Sequence, residues 1–372
     1  MKSTTLPDRT HDKPLEIKVI FLPQFDEVPY QLQLAQELGR LGVDVEGVRW
    51  PGPEASMTQW LPPSIARTDI LHLHWLHPLV LGRGRKESLR KALIYAWQLW
   101  SLRRQGVRIA WTVHNIQNHE NQLVRLERWC SKLTARLAHT VITHGELARR
   151  EVIREFRVAD ESKVVVVPQG NYIDSYPNSI KREQARRALQ LNDDETVFLF
   201  LGMIRPYKGV LELIEAFKRL ETPRARLLIA GESWDEELVS EIQRRTQGQK
   251  QIIFRRGFVP DEEIQLFMNA CDVTVYPFRA VLTSATVMLS LSFGRACIAP
   301  RLGCISEILD ERGGFTYDPA DENGLLTALR EAVRRRDELP RMGDHNRRQA
   351  EEWNWERVAT MTAQIYRDCL KR

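Results

Sequence analysis

The chain has 372 residues, of which 43% are hydrophobic and 28% are charged, and its formal net charge at pH 7 is +5. This length suits two domains of about 150–200 residues, each large enough to bury a core. The modest positive charge gives no reason to expect a nucleic-acid partner, and no apolar run approaches the roughly 18–20 residues that span a bilayer.

The first half of the chain alternates short apolar runs with helical patterns, after a polar leader at residues 1–14 that we expect to be disordered. The pattern predicts strands at residues 17–21, 70–74, 108–112, 140–143 and 163–167, and helices at 31–41 and 87–104. Such alternation is typical of a parallel sheet with helices on both faces. We therefore predict a Rossmann-like, doubly wound α/β domain at residues 15–175.

The alternation restarts after a polar turn at Tyr176-Pro177-Asn178. Strands are predicted at residues 196–201, 226–230, 251–254, 273–276 and 296–299, and helices at 210–220, 261–268 and 286–293. A second Rossmann-like domain at 176–352 follows, with a C-terminal helix at 353–372 that is free to pack on either domain. Ligands bind beyond the carboxyl ends of parallel strands, so we expect the site in the cleft between the two sheets.

The strand at 196–201 ends in a loop that contains two glycines and two basic residues, Gly202, Arg205, Lys208 and Gly209. Glycines permit tight turns and close approach, and the N-terminus of the following helix offers free N–H groups. Together with the two positive charges, these features predict a diphosphate site. The alternative is a solvated basic turn that caps a helix.

This loop resembles the donor-diphosphate loop of GT-B glycosyltransferases, especially those of the large retaining family 4. Four separated motifs are similar, in more detail, to the xanthan-pathway GDP-mannose:glycolipid 4-β-mannosyltransferases and related exopolysaccharide enzymes. The resemblance implies a GT-B fold, with two Rossmann-like domains facing across a cleft, and a hexosyltransferase that uses a nucleotide sugar without a metal. The motifs are Arg205-Pro206-Tyr207-Lys208-Gly209, His72-Leu73-His74-Trp75, His114-Asn115 followed by His119-Glu120, and Leu282-Thr283-Ser284-Ala285 leading to Leu291-Ser292-Phe293-Gly294-Arg295.

One departure from family 4 bears on the mechanism. The two glutamates that hold the donor sugar and the ribose in that family correspond here to Val281 and Leu289, which cannot accept hydrogen bonds. We expect Thr283, Ser284 and Thr286 to bind the donor instead, although Thr283-Ser284 also suits a helix N-cap. Loss of the glutamates favours inversion, in agreement with the β-mannosyltransferase resemblance.

An inverting transfer needs a base for the proton of the acceptor hydroxyl. The leading candidate is Glu120, with His119 beside it, in the polar segment after the strand at 108–112, and His114 is expected to donate to the sugar or phosphate. The second candidate is Asp26, in the loop after the first strand. The plainer alternatives are that Glu120 opens the next helix and that Asp26 is an ordinary loop acid.

His72 and His74 alternate with leucines and so point to one face of their strand. No carboxylate or cysteine lies nearby in sequence, so we predict no metal site there. His74 and Trp75 are expected to line the acceptor side of the cleft, since an aromatic face suits a sugar ring. His144, at the end of another strand, is a weaker site candidate.

The predicted helix at 87–104 carries an apolar stripe flanked by basic residues. Such a helix could lie on an anionic membrane surface, where a lipid-linked acceptor would be found. The alternative is a buried helix face with solvated basic flanks. The stripe is Leu89, Leu93, Trp97 and Trp100, and the basic residues are Arg83, Arg85, Lys86, Arg90, Lys91, Arg103 and Arg104.

The five cysteines are odd in number and lack paired spacing, and no signal peptide opens the chain. These features favour a reducing, cytoplasmic location. Peripheral attachment to the inner face of the plasma membrane is compatible with it. We expect a glycosyltransferase that moves mannose from GDP-mannose, with inversion, onto a lipid-linked or growing oligosaccharide. The rivals are a retaining family 4 transferase and a non-catalytic sugar-nucleotide-binding protein. A nicotinamide-dependent oxidoreductase is disfavoured, because no G-x-G-x-x-G follows the first strand.

Overall fold

A computed structural model of the chain describes residues 17–25, 29–52, 54–117 and 123–371. The predicted leader at 1–14 lies outside these residues. The first half forms a parallel six-stranded sheet in the order β2-β1-β3-β4-β5-β6. Its strands are β1 (Ile17–Gln24), β2 (Val43–Arg49), β3 (Ile70–Leu73), β4 (Arg108–Thr112), β5 (Thr140–Thr143) and β6 (Val164–Val166). Its helices are α1 (Pro29–Arg40), α2 (Met57–Trp60), α3 (His77–Val80), α4 (Arg85–Arg104), α5 (Val124–Leu137) and α6 (Glu146–Phe156).

The second half forms another parallel six-stranded sheet, in the order β12-β11-β10-β7-β8-β9. Its strands are β7 (Thr196–Leu201), β8 (Ala225–Gly231), β9 (Ile252–Arg256), β10 (Val273–Val275), β11 (Ala296–Pro300) and β12 (Gly314–Tyr317). The helices of the second half are α7 (Arg182–Ala188), α8 (Val210–Lys218), α9 (Glu236–Thr246), α10 (Asp261–Ala270), α11 (Ala285–Ser292), α12 (Ile305–Ile308), α13 (Gly324–Arg334), α14 (Leu339–Glu352) and α15 (Trp355–Lys371).

The predicted class, two doubly wound parallel sheets, is confirmed, and every predicted strand is present. The strands β2 and β12 were not predicted. Both lie at a sheet edge, and the sequence of β2 alternates apolar and polar residues because one of its faces meets solvent. The central strands are buried along their length and mostly apolar because helices cover both of their faces. The sequence therefore indicates them clearly.

Each sheet reverses its winding direction at one point. In the first sheet β1 lies between β2 and β3, and in the second sheet β7 lies between β8 and β10. At such a point the loops at the carboxyl ends of two neighbouring strands diverge and leave a crevice. The crevices of this protein therefore lie after β1 and β3 in the first sheet and after β7 and β10 in the second.

The C-terminal helix α15 returns to the first sheet and packs against α1. Trp355, at its start, donates its indole N–H to the carbonyl of Asn171 at 2.7 Å. The buried faces of Val358, Ala363 and Tyr366 join the core under the first sheet. The chain thus crosses between the halves twice, once near Asn171 and once at α15.

No helix within the described residues is long and apolar enough to cross a membrane. The longest, α4, has 20 residues, but six of them are basic.

Candidate functional site

The crevice of the second sheet is formed by the loop after β7 and the segment after β10. The backbone N–H of Arg279 donates to the carbonyl of Tyr207 at 2.8 Å, which joins the two loops. A side chain at Gly209 would approach the Pro277 carbonyl to 2.0 Å, so only glycine fits there. Gly209 also has a φ of 71°, which glycine adopts without strain.

Gly202 opens the same loop with a φ of 131°. A Cβ atom built there would lie 3.7 Å from the Lys208 ammonium and 3.1 Å from the Thr286 methyl group. The backbone at Gly202, the Lys208 side chain and the start of α11 therefore meet at one place. The sequence indicated the loop and the start of α11 as two separate motifs, and the fold brings the two motifs together.

The two basic side chains of the loop are held in different ways. The half-buried Lys208 loses hydration, and with the nearby Arg205 charge this lowers its pKa to about 8. The Arg205 guanidinium lies over the ring of Trp234, 4.3 Å from its centre. Trp234 was not singled out from the sequence, although an aromatic residue shortly after the strand at 226–230 was a signal for it.

The three hydroxyl residues at the start of α11 make different hydrogen bonds. Ser284 Oγ accepts from the Val287 N–H at 3.2 Å, so it is the N-cap that the sequence allowed. Thr286 Oγ1 lies 3.1 Å from Ser284 Oγ. Thr283 Oγ1 donates to the carbonyl of His114, in the first domain, at 3.2 Å. This bond brings the end of β4 against the start of α11.

On the first domain, aromatic rings stack behind the cleft. The His114 ring lies parallel to that of Trp75, with centres 4.3 Å apart, and its Nε2 is 3.3 Å from Nδ1 of His74. His74 is only 1% exposed, so it can position Trp75 and His114 but has almost no surface for a sugar. His72 lies deeper, between Tyr366 and Thr112.

Burial keeps these histidines neutral. The pKa values of His74 and His114 lie well below the ordinary range because the rings are desolvated, and neighbouring histidines add to the shift. Neutral imidazoles can accept a hydrogen bond on one nitrogen and donate from the other. His114, which is only half-buried, can therefore offer a hydrogen-bonding group to the cleft without adding positive charge.

His144, the weaker candidate from the sequence, lies in the cleft itself. Its Nδ1 is 2.9 Å from the Val167 carbonyl, which fixes the proton on Nδ1, and its Nε2 is buried without a hydrogen-bond partner. Burial lowers its pKa to about 4. A cavity between the domains is lined by His144 together with Gln169, Thr283, Ser284, Met288 and Glu307.

Glu307, which the sequence did not single out, joins the domains at this cavity. Its carboxylate accepts from the backbone N–H groups of Glu146 and Leu147, at 2.9 Å and 2.5 Å. These are the first two residues of α6, where the helix dipole favours a negative charge.

The two predicted bases, Glu120 and Asp26, lie outside the described residues, and so does His119 beside Glu120. The described chain stops at Gln117, beyond the end of β4, and resumes at Leu123, one residue before α5. The assignment of the base to Glu120 or Asp26 stays a prediction.

Val281 and Leu289 stand at the positions of the two family 4 glutamates. Val281 is half-buried, Leu289 is 8% exposed, and both pack into the core of the second domain. Among the residues that the structure describes, no cluster of three histidine, cysteine, aspartate or glutamate side chains could hold a metal ion.

The family described as Glycosyl transferases group 1 matches residues 181–349. The GDP-mannose:glycolipid 4-beta-D-mannosyltransferase of Xanthomonas campestris pv. campestris is 26% identical over 276 residues, which are 73% of each chain. The MMP alpha-(1->4)-mannosyltransferase of Mycolicibacterium hassiacum is 25% identical over 249 residues, 65% of this chain and 57% of the relative.

The structure of sucrose-phosphate synthase from Thermosynechococcus elongatus superposes with a TM-score of 0.73 and 17% identity, covering 94% of this chain and 98% of that one. Likeness at this identity supports the GT-B fold, and the sequence matches support the activity class. The chain is therefore a hexosyltransferase of the GT-B fold, and its residues 181–349 match the group 1 glycosyltransferase family.

Proposed function

We propose that the enzyme transfers mannose from GDP-mannose, with inversion, to a lipid-linked or growing oligosaccharide in exopolysaccharide or cell-surface glycan synthesis, at the cytoplasmic face of a membrane. The observation that carries the proposal is the paired positive charge of Arg205 and Lys208 at the crevice after β7 and β10. The bond from Thr283 to His114 holds this crevice against the first domain. The choice of GDP-mannose and of a glycolipid rests on what the Xanthomonas relative is named for.

In this proposal the diphosphate lies along Gly202, beside the Lys208 ammonium, and Gly209 allows the loop to turn tightly against the Pro277 carbonyl. Arg205 and Lys208 neutralise the charge that grows on the leaving diphosphate, and the free N–H groups at the start of α11 face the donor. Thr283, Ser284 and Thr286 supply hydroxyl groups for the sugar and ribose, in place of the missing glutamates.

The acceptor hydroxyl attacks the anomeric carbon from the side opposite the diphosphate. As the new C–O bond forms, the bond from that carbon to the phosphate oxygen breaks, and the hydroxyl proton passes to Glu120 or, in the second assignment, to Asp26. The variants Glu120→Gln and Asp26→Asn separate the two, because only the base variant should lose about 10²–10⁴-fold in turnover. Trp75 and His114 provide the aromatic wall for the acceptor.

A retaining transfer is the second candidate, because the Mycolicibacterium relative is named as an alpha-mannosyltransferase. The hydrophobic residues Val281 and Leu289 argue against it, since neither can hold a sugar hydroxyl or carry charge.

The donor site is tested by thermal unfolding in the presence of GDP, UDP and ADP. A ligand that binds only the folded state stabilises it by about 2.7 kcal/mol at 100 times its Kd. We expect GDP to raise the unfolding temperature most, and Arg205→Ala with Lys208→Ala to abolish the shift while the unliganded protein stays folded. Stabilisation by UDP or ADP alone would contradict the choice of donor, and a full GDP shift in the double variant would move the site elsewhere.

A further inference from the structure

Helix α4 has an apolar face that no other part of the described chain covers. Leu89, Leu93, Trp97 and Trp100 are between 49% and 60% exposed. They are spaced three or four residues apart, so they form one continuous stripe along a helix about 30 Å long. Single exposed apolar residues are common on proteins, but four aligned along one helix mark an interaction surface.

The opposite face of α4 already provides the contacts that hold the helix in the domain. Ala92, Tyr95 and Leu99 are fully buried, and the hydroxyl of Tyr95 bonds Thr134 of α5 at 2.5 Å. Lys91 also turns inward and donates to the carbonyl of Pro78. The exposed stripe is thus an addition that folding does not require.

Positive charge is concentrated on the same helix. α4 contains six basic residues and one acidic residue, so its net charge equals the +5 of the whole chain. With Lys91 buried, the basic side chains at the surface are Arg85, Lys86, Arg90, Arg103 and Arg104. The guanidinium of Arg104 lies 4.9 Å from the ring centre of Trp100 at the end of the stripe.

The acidic residue of α4 and two acidic residues of neighbouring segments are paired. Glu87 accepts from the Arg83 backbone, Glu54 pairs with the Arg83 side chain at 2.8 Å, and Glu155 pairs with Arg128 of α5. Trp129 of α5, 46% exposed, adds a further aromatic ring on the neighbouring helix. The surface is therefore apolar at its centre and basic at its rim.

We propose that this face of α4 docks on an anionic lipid bilayer, an inference that rests on the proposed function because a lipid-linked acceptor resides there. Tryptophan suits the boundary between head groups and acyl chains, and basic side chains beside it bind anionic head groups. A stripe of this width inserts only to the boundary, so attachment is reversible.

The direction of α4 connects the docked surface to the cleft. In a parallel α/β unit each helix runs against its strands, so the N-terminal end of α4 lies near the carboxyl ends of β3 and β4. α3 packs against α4 there and begins at His77, two residues after Trp75. Docking through α4 would bring the acceptor wall close to the bilayer, and a lipid-linked sugar could reach the cleft without leaving the membrane.

The test is co-sedimentation of the full chain with vesicles of phosphatidylcholine alone or mixed with phosphatidylglycerol. We expect binding to the mixed vesicles only, weakening as sodium chloride is raised, since exposed charges are screened beyond about 8–10 Å near physiological salt. Lys86→Glu with Arg90→Glu should lower the partition coefficient of the protein on mixed vesicles by at least about 30-fold. This factor corresponds to about 2 kcal/mol, because a tenfold change in the coefficient is about 1.4 kcal/mol. Trp97→Ser with Trp100→Ser should lower it by more than about tenfold.

Matched variants on the second domain serve as controls. Arg187→Glu with Lys250→Glu reverses two exposed charges on that domain, and Phe258→Ser removes a side chain that is 67% exposed. Both should bind vesicles like the unchanged protein. Equal binding to the two kinds of vesicle, no binding to either, or α4 variants that behave like the controls would overturn the proposal. GDP stabilisation is measured separately on the same proteins, so failure of the donor site and failure of docking are distinguishable.

Discussion

Lys208, in the loop after β7, is expected to respond to pH. Burial and the nearby Arg205 charge lower the pKa of its ammonium group to about 8. In the free protein Lys208 is therefore charged below pH 8 and increasingly neutral above it. A bound diphosphate favours the charged form, so binding at high pH requires the uptake of a proton.

We therefore predict that the affinity for GDP falls as pH rises from 7.5 to 9.5, by up to about tenfold per pH unit above 8. Titration calorimetry over this range measures it. Lys208→Arg is the matched variant, because its charge persists, and its affinity should be nearly flat with pH. An equal pH dependence in both proteins would show that Lys208 does not contact the diphosphate.

At the scale of elements, the histidines of β3 and of the loops after β3, β4 and β5 form a buried cluster. This cluster is expected to destabilise the folded protein at acidic pH. Burial lowers the pKa of His72 to about 3, with a further contribution from His144, and lowers that of His144 to about 4. The unfolded chain titrates near 6.5, so between pH 6.5 and 4 it binds more protons than the folded chain does. Stability is then fully present above pH 6.5 and is lost as pH falls.

The predicted loss in the free energy of unfolding is about 1.4 kcal/mol per pH unit for each such histidine. Urea unfolding, followed by near-ultraviolet circular dichroism, measures this loss between pH 7 and 4.5. His144→Asn retains a donor for the Val167 carbonyl but removes one titrating group. Its stability should fall less steeply with acid than that of the unchanged protein. A urea midpoint that does not change between pH 7 and 5 would contradict this account.

The elements also show what the sequence predicts and what it leaves open. The central strands and the positions of their carboxyl ends follow from apolar runs such as 196–201, and they place Gly202 and His114 at strand ends. The edge strands β2 and β12 are short or half exposed, so their local pattern is weak. The sequence allowed Ser284 to be an N-cap, a donor ligand or both, and it left open whether the stripe on α4 is buried. The fold shows the N-cap bond and the exposed stripe, and the donor role of Ser284 stays a prediction.

At the scale of the whole molecule, the site depends on contacts between distant parts of the chain. Thr283 bonds the His114 carbonyl, Glu307 bonds the start of α6, and α15 returns to the first sheet. Periodicity and motif spacing are local properties, so they identify the residues of each half but not the way in which the halves meet. His144 and Glu307 gain their place in the cleft only through that meeting.

In the proposed function the donor lies on the second domain and the acceptor lies on the first, on opposite sides of the cleft. Such opposition suits direct displacement, in which the acceptor oxygen arrives as the diphosphate departs on the other side. Direct displacement converts an α-linked mannose on the nucleotide into a β-linked mannose in the product.

The most direct test is the anomeric configuration of the product formed from GDP-mannose and a bacterial glycolipid extract, read by NMR at the anomeric carbon. We predict a β-mannoside. An α-mannoside would contradict inversion and assign the enzyme to the retaining transferases despite Val281 and Leu289.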